Sequence, residues 1–198
     1  TRGGGIQRSS KMTTMESPDL HAHYRALLDA GVQRCVMEVS SIGIEESRVA
    51  ASKYDRAAFL NLSEDHLDYH GEMQCYADAK LRLFTELLDP EALCIICIDG
   101  QNQSSDLAHK VIAHCTQQGY RFWRCSTQTN HRDHLEKIEV YWRSLHLSTQ
   151  GINGILVTPL GELELSSPLM GLFNASNIAV AASLALSLGI DHTYIQAA

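Results

Sequence analysis

Short apolar runs alternate with segments of helical periodicity along this chain, and that alternation limits the fold more than any other feature. The runs are CVMEV at 35–39, AAFL at 57–60, LCIICI at 93–98 and YRFWRC at 120–125. Helical spacing marks SPDLHAHYRALLDAG (17–31), MQCYADAKLRLFTELLD (73–89), SSDLAHKVIAHCTQQG (104–119) and FNASNIAVAASLALSLG (173–189). In the first helix Ser17 is a possible N-cap, Pro18 sits at the first helical position and Gly31 is a stop; in the last, Asn174 or Ser176 is available as cap. From about Ile138 to Leu165 apolar and polar residues alternate, with Asn153-Gly154 and Pro159-Leu160-Gly161 as turn signals, which predicts an antiparallel hairpin or meander. The fold expected is α/β: a mostly parallel, doubly wound sheet with helices on both faces and a small antiparallel β extension. The first residues, TRGGGIQRSSKMTT, read as loop or frayed terminus.

At 198 residues the chain is one domain's worth and buries enough surface to form a core without disulfide or metal staples. Its 16 basic residues against 23 acidic ones give a net charge of -7, which removes the electrostatic reason to expect a nucleic-acid partner. Apolar runs of only a handful of residues predict no membrane span. Six cysteines are too few for a disulfide scaffold, so a reducing, cytoplasmic compartment is expected. The Cys94-Ile-Ile-Cys97 pair lies in an apolar strand whose period of two sends the thiols to opposite faces, which argues against a redox or metal role.

In an open α/β sheet ligands gather where strands end, so polar residues just after apolar runs deserve the first look. Glu38, Ser40 and Ser41 close one run, and Asn61-Leu62-Ser63-Glu64-Asp65-His66-Leu67-Asp68-Tyr69-His70 follows another. Such groups can converge on a cation and phosphates, or can be solvated strand ends; pattern alone leaves both readings open. His66 and His70 have the i, i+4 spacing of a zinc helix, but Leu67 stands where HExxH needs its glutamate. A metal hydrolase on His66, Asp68 and His70 remains as an alternative. GxSxG and GxGxxG are absent, and no glycine precedes a lysine, so the chain contains no GxxxxGK(S/T) phosphate loop.

Four motifs, MEVSS (37–41), NLSEDHLDYHG (61–71), YADAKLRLF (76–84) and GLFNASN (171–177), resemble the central domain of the Mur ligases in order and spacing, over roughly Thr13 to Gly189. DHLDYHG with MEVSS resembles the member that adds the third amino acid of the peptidoglycan stem. The resemblance implies an ATP-dependent amide ligase acting through an acyl phosphate on UDP-MurNAc-L-Ala-D-Glu, with ATP and a free amino acid, lysine or diaminopimelate, as further substrates. It implies that Glu38, His66 and a CO₂-carbamylated Lys80 are catalytic and hold Mg²⁺. It further implies that Thr13, Thr14, Ser40, Glu46 and Arg48 meet the nucleotide-sugar substrate, and that Asn177 and Asn174 lie beside adenine. On this reading residues 1–198 are the ATP-binding central domain, cut after the phosphate loop and before the amino-acid-binding domain, and are inactive alone. A nucleotide-sugar-binding module without chemistry is the alternative. The chain departs from the family pattern at Met12, Met15, Ile42 and Glu46; the last replaces a usual glutamine and turns a negative charge toward an anionic substrate.

Overall fold

The computed structural model describes residues 2–3, 5–7, 12–127 and 137–197. They divide into two compact units, Thr1–Lys53 with Glu64–Leu87 and Tyr54–Ser63 with Leu88–Ala198.

In the first unit, β1 (Arg2–Gly3) and β2 (Ile6–Gln7) pair antiparallel around Gly5, which has φ 77°, so a small hairpin stands where the sequence predicts loop. Helix α1 (Ser17–Asp29) takes Pro18 in its first turn, with Glu16 rather than Ser17 at the N-cap, and buries Leu20, His23 and Leu27 at helical spacing. Helices α2 (Ser41–Glu45), α3 (Leu67–His70) and α4 (Met73–Glu86) follow, and α4 buries Tyr76, Ala77, Ala79 and Phe84.

The buried strand expected at 35–39 does not form. Residues 32–40 carry no regular structure, Cys35 is exposed and Val36 is 78% exposed. A strand needs a neighbour that accepts from its N–H groups and donates to its C=O groups. Here the Thr14 side chain takes that part instead, meeting the Glu38 carbonyl and the Ser40 N–H.

The second unit is built on one six-stranded sheet in sequential order: β3 (Tyr54–Phe59), β4 (Leu88–Cys97), β5 (Arg121–Ser126), β6 (Val140–Ser148), β7 (Gly151–Thr158) and β8 (Gly161–Ser167). The first four run parallel and the last three form an antiparallel meander, as the change in texture near Ile138 predicts. Strand β4 begins at Leu88, inside the segment read from periodicity as the tail of the preceding helix. Helix α5 (Gln103–Gln118) and helix α6 (Leu172–Ser187) cover opposite faces of β4. Ile95 belongs to the core that α6 closes, whereas the neighbouring Cys94 lies within hydrogen-bonding reach of Cys115 on α5. A short helix, α7 (His192–Gln196), ends the described chain.

Two turn and cap assignments shift. Asn153-Gly154 lies inside β7 rather than at a turn, because β7 passes the Trp142 ring and the Ser144 carbonyl so closely that a Cβ on Gly154 would meet that oxygen at 2.2 Å. The hairpin turns instead at Thr149-Gln150, where the Gln150 N–H donates to Ser148 Oγ. Helix α6 starts after Gly171, and Asn174, within its first turn, donates from Nδ2 to the Met170 carbonyl at 2.8 Å.

The core of this unit packs Trp142, Ile152, Leu156 and Leu163 against Ala175, Ala179 and Val180 of α6. Leu156→Ala is expected to lower stability by about 2–5 kcal/mol in urea unfolding. Leu147→Ala, at a 45% exposed site of the same meander, is expected to change it by less than about 0.5 kcal/mol. Equal effects at the two positions would contradict this core.

Candidate functional site

Thr14, buried to 1% exposure, organises one half of the first unit's polar centre. Its hydroxyl donates to the Glu38 carbonyl at 3.2 Å and accepts from the Ser40 N–H at 2.9 Å, with Ser40 Oγ at 3.1 Å. Ser40 then caps α2 by accepting from the Gly43 N–H. Gly43 is required there: a Cβ would lie 2.8 Å from the Cβ of Thr14. The Thr14 carbonyl accepts from the Arg48 guanidinium at 3.0 Å. Arg48 is itself buried, ion-paired to Glu46 and, at 3.3 Å, to Glu16. Thr14, Ser40, Glu46 and Arg48 therefore form one connected network, while Thr13 is exposed. The burial of Arg48 was not legible in a sequence where an arginine reads as surface.

The other half centres on Tyr76. His66 occupies the N-cap of α3 in the left-handed region, φ 54° and ψ 24°, a conformation that is costly for a residue other than glycine. Asp65 supports it by accepting from the His66 N–H at 2.8 Å, and its other oxygen lies 3.6 Å from Nε2. From there the His66 ring meets Tyr76 edge-on, with centroids 5.9 Å apart. Lys80, one turn along α4, holds Nζ 4.9 Å from the same ring's centroid, a cation–π contact. His70 stacks on Tyr76 at 5.1 Å, and its Nε2 lies 2.9 Å from Ser41 Oγ. Two of the three expected metal ligands, His66 and Lys80, thus share one aromatic ring. His70, the second histidine of the DYHG motif, serves the interior of the unit. It is buried, and among the described residues no three His, Cys, Asp or Glu side chains converge on a metal-holding point.

Glu38, the third expected ligand, is exposed, with its backbone anchored through Thr14. As they stand, a carboxylate, an imidazole and an ammonium are a poor donor set for Mg²⁺, which prefers six oxygens. A carbamate on Lys80 would replace the positive charge with two oxygens, a donor type that ion prefers.

Asn174 and Asn177 lie on α6 in the second unit, 3.4 Å apart through Asn177 Nδ2 and Asn174 Oδ1. Asp99 of the same unit, just after the apolar run at 93–98, has no place among the residues expected from the sequence. Just beyond the carboxyl end of β4, its carboxylate accepts from Ser126 Oγ at 2.5 Å and from the backbone and hydroxyl of Thr127, both at 2.6 Å. It thereby joins the exits of two parallel strands, the place where open α/β sheets take ligands.

Fold and polar centre together define an α/β domain with a mixed six-stranded sheet in one unit and a polar centre in the other. Residues 1–185 match the Mur ligase middle domain, and the chain belongs to that family. A protein of Geobacter metallireducens named UDP-N-acetylmuramoyl-L-alanyl-D-glutamate--2,6-diaminopimelate ligase is 39% identical over 189 residues, covering 90% of this chain and 34% of its own length. A protein of the same name from Pseudomonas aeruginosa is 37% identical over 194 residues, covering 93% and 35%. A solved structure of a protein of that name superposes with a TM-score of 0.77 at 28% identity, over 93% of this chain and 35% of that one. The chain spans about a third of the length of these relatives.

Thr14→Val keeps the side chain's shape and strands the Ser40 N–H and the Glu38 carbonyl. It is expected to destabilise the first unit by about 1–3 kcal/mol in thermal or urea unfolding. A neutral result would show that the Thr14 network does not hold residues 38–43 in place.

Proposed function

We propose that this chain is the central, ATP-binding part of a ligase that joins a third amino acid, lysine or diaminopimelate, to UDP-MurNAc-L-Ala-D-Glu. The observation that carries this reading is the gathering of His66 and Lys80 at the Tyr76 ring in a chain of the Mur ligase family. The names borne by its relatives supply the substrate.

The reaction consists of two transfers. A carboxylate oxygen of the substrate attacks the terminal phosphorus of ATP, and ADP leaves. The amine of the incoming amino acid then adds to the acyl carbon, and phosphate departs as the amide forms. Lys80 contributes after its neutral amine adds to CO₂ and releases a proton, leaving a carbamate whose oxygens, with Glu38 and His66, would hold Mg²⁺. When bound, that ion offsets negative charge on the phosphates. The left-handed backbone at His66 aims its ring, and Tyr76 fixes the direction from which Lys80 approaches. Thr14 and Ser40 set the loop that presents Glu38. Asn174 and Asn177 present amides to the adenine edge. All six cysteines are free, which suits a reducing cytoplasm, and no helix among the described residues is long and apolar enough to cross a membrane.

A second reading, a nucleotide-sugar-binding module that does no chemistry, draws on the departures from the family pattern at Met12 and Glu46. The lack of a Gly-Lys phosphate-loop pair in these 198 residues supports binding without turnover by this chain alone. Calorimetric titration of the purified chain is expected to show saturable binding of UDP-MurNAc-L-Ala-D-Glu that UDP-glucose does not match, with no phosphate released from ATP. Equal affinity for the two nucleotide sugars, or none for either, would contradict the substrate assignment; steady ligation would contradict the need for a phosphate loop.

A further inference from the structure

Arg48 is a guanidinium with its charge already taken. Its side chain is 10% exposed, one amino group donates to the Thr14 carbonyl, another is ion-paired to Glu46, and Nε faces Glu16 at 3.3 Å. Two carboxylates against one guanidinium leave this corner with a net negative charge. Glu46 is held from a second side as well. The Tyr69 phenol lies beside it, pushed above its ordinary range by partial desolvation and by the charges of Glu46 and Glu45. At the C-cap of α2, the Glu46 N–H donates to the Ile42 carbonyl, so the backbone fixes the carboxylate's starting point two residues from Arg48. The pair is local, two residues apart in sequence and fixed by the backbone at the end of α2.

We propose that Glu46 is a built-in competitor for the anionic ligand of Arg48, and so the residue that sets how tightly this chain holds a carboxylate- or phosphate-bearing substrate. The inference rests on the nucleotide-sugar reading for the identity of that ligand, but not for the masking itself. Arginine recognises carboxylate and phosphate through paired N–H donors, and a donor engaged by Glu46 is lost to the ligand. A ligand anion must either displace the Glu46 carboxylate or approach against its charge, and both weaken binding. A glutamine at this position would keep the shape and hydrogen bonding while removing the charge. The Glu46 side chain is 41% exposed, and Arg48 keeps Glu16 and the Thr14 carbonyl as partners when Glu46 loses its charge.

Glu46→Gln separates masking from substrate choice when two measurements are made on the same protein. The first is the rate at which phenylglyoxal modifies Arg48, mapped by peptide mass and normalised to the exposed Arg143. The second is the affinity for UDP-MurNAc-L-Ala-D-Glu by calorimetry. The expected result is several-fold faster modification of Arg48 and about tenfold tighter binding, equivalent to about 1.4 kcal/mol. Glu46→Ala is expected to give the faster modification too, which ties the effect to the lost carboxylate. Unchanged modification rates in both variants overturn the proposal, as does faster modification with nucleotide-sugar affinity unchanged or weakened. Faster modification with no nucleotide-sugar binding by any variant upholds the masking and removes the substrate assignment instead.

Discussion

The ring of Tyr76 is the constraint on which the candidate site depends. It is 5% exposed on α4, and it takes the His66 ring on its edge, the His70 ring on its face and the Lys80 ammonium within cation–π range. These residues come from α4, from α3 and from the N-cap that precedes α3, and none would hold its direction in water alone. A buried aromatic ring offers apolar area to all of them and an electron-rich face to the cation. His70 extends the arrangement by tying the α3 end to Ser41 at the start of α2. The segment that bears Glu38 is fixed separately, by a single threonine hydroxyl meeting the backbone at two points. The polar centre of the first unit is thus two small networks, one aromatic and one hydroxyl-based.

That arrangement bears on the lysine's chemistry. Carbamate formation converts an ammonium into an anion, so it gives up the attraction to the Tyr76 face and leaves two oxygens at the same place. On the proposed reading, a cationic Lys80 on the ring and an anionic, carbamylated Lys80 on a metal would be alternative states of one side chain, separated by the uptake of CO₂ and the release of two protons. The metal and the carbamate are then coupled: each makes the other favourable. The Arg48 corner shows the opposite electrostatic choice, where a cation is already matched by carboxylates of the same unit.

Much of this was legible in the chain. The alternation in IEVYWRSLHLS and GELELSS gave the meander, and the apolar spacing of SPDLHAHYRALLD and SSDLAHKVIAHC gave α1 and α5, because one-sided burial writes itself into the sequence period. The candidate ligands were legible through motif order rather than through chemistry, since one carboxylate, one histidine and one lysine are ordinary surface residues by composition. What failed did so for stated reasons. CVMEV is apolar enough for a strand, but pairing depends on a neighbour that no local pattern announces. Asn153-Gly154 has turn composition, yet its glycine answers to the Trp142 ring across the sheet. Asp99 was missed because Asp-Gly at a strand end has a sufficient local explanation, and its partners Ser126 and Thr127 are distant in sequence.

The proposed function turns on Lys80 as a CO₂-capped ligand that acts with His66 and Glu38. The most direct measurement is ¹³C NMR of the chain in ¹³C-bicarbonate, with and without Mg²⁺. The account predicts a carbamate carbon signal that strengthens on adding Mg²⁺ and is missing in Lys80→Ala. A spectrum with no carbamate signal at any Mg²⁺ concentration, or one that Lys80→Ala leaves intact, would contradict it.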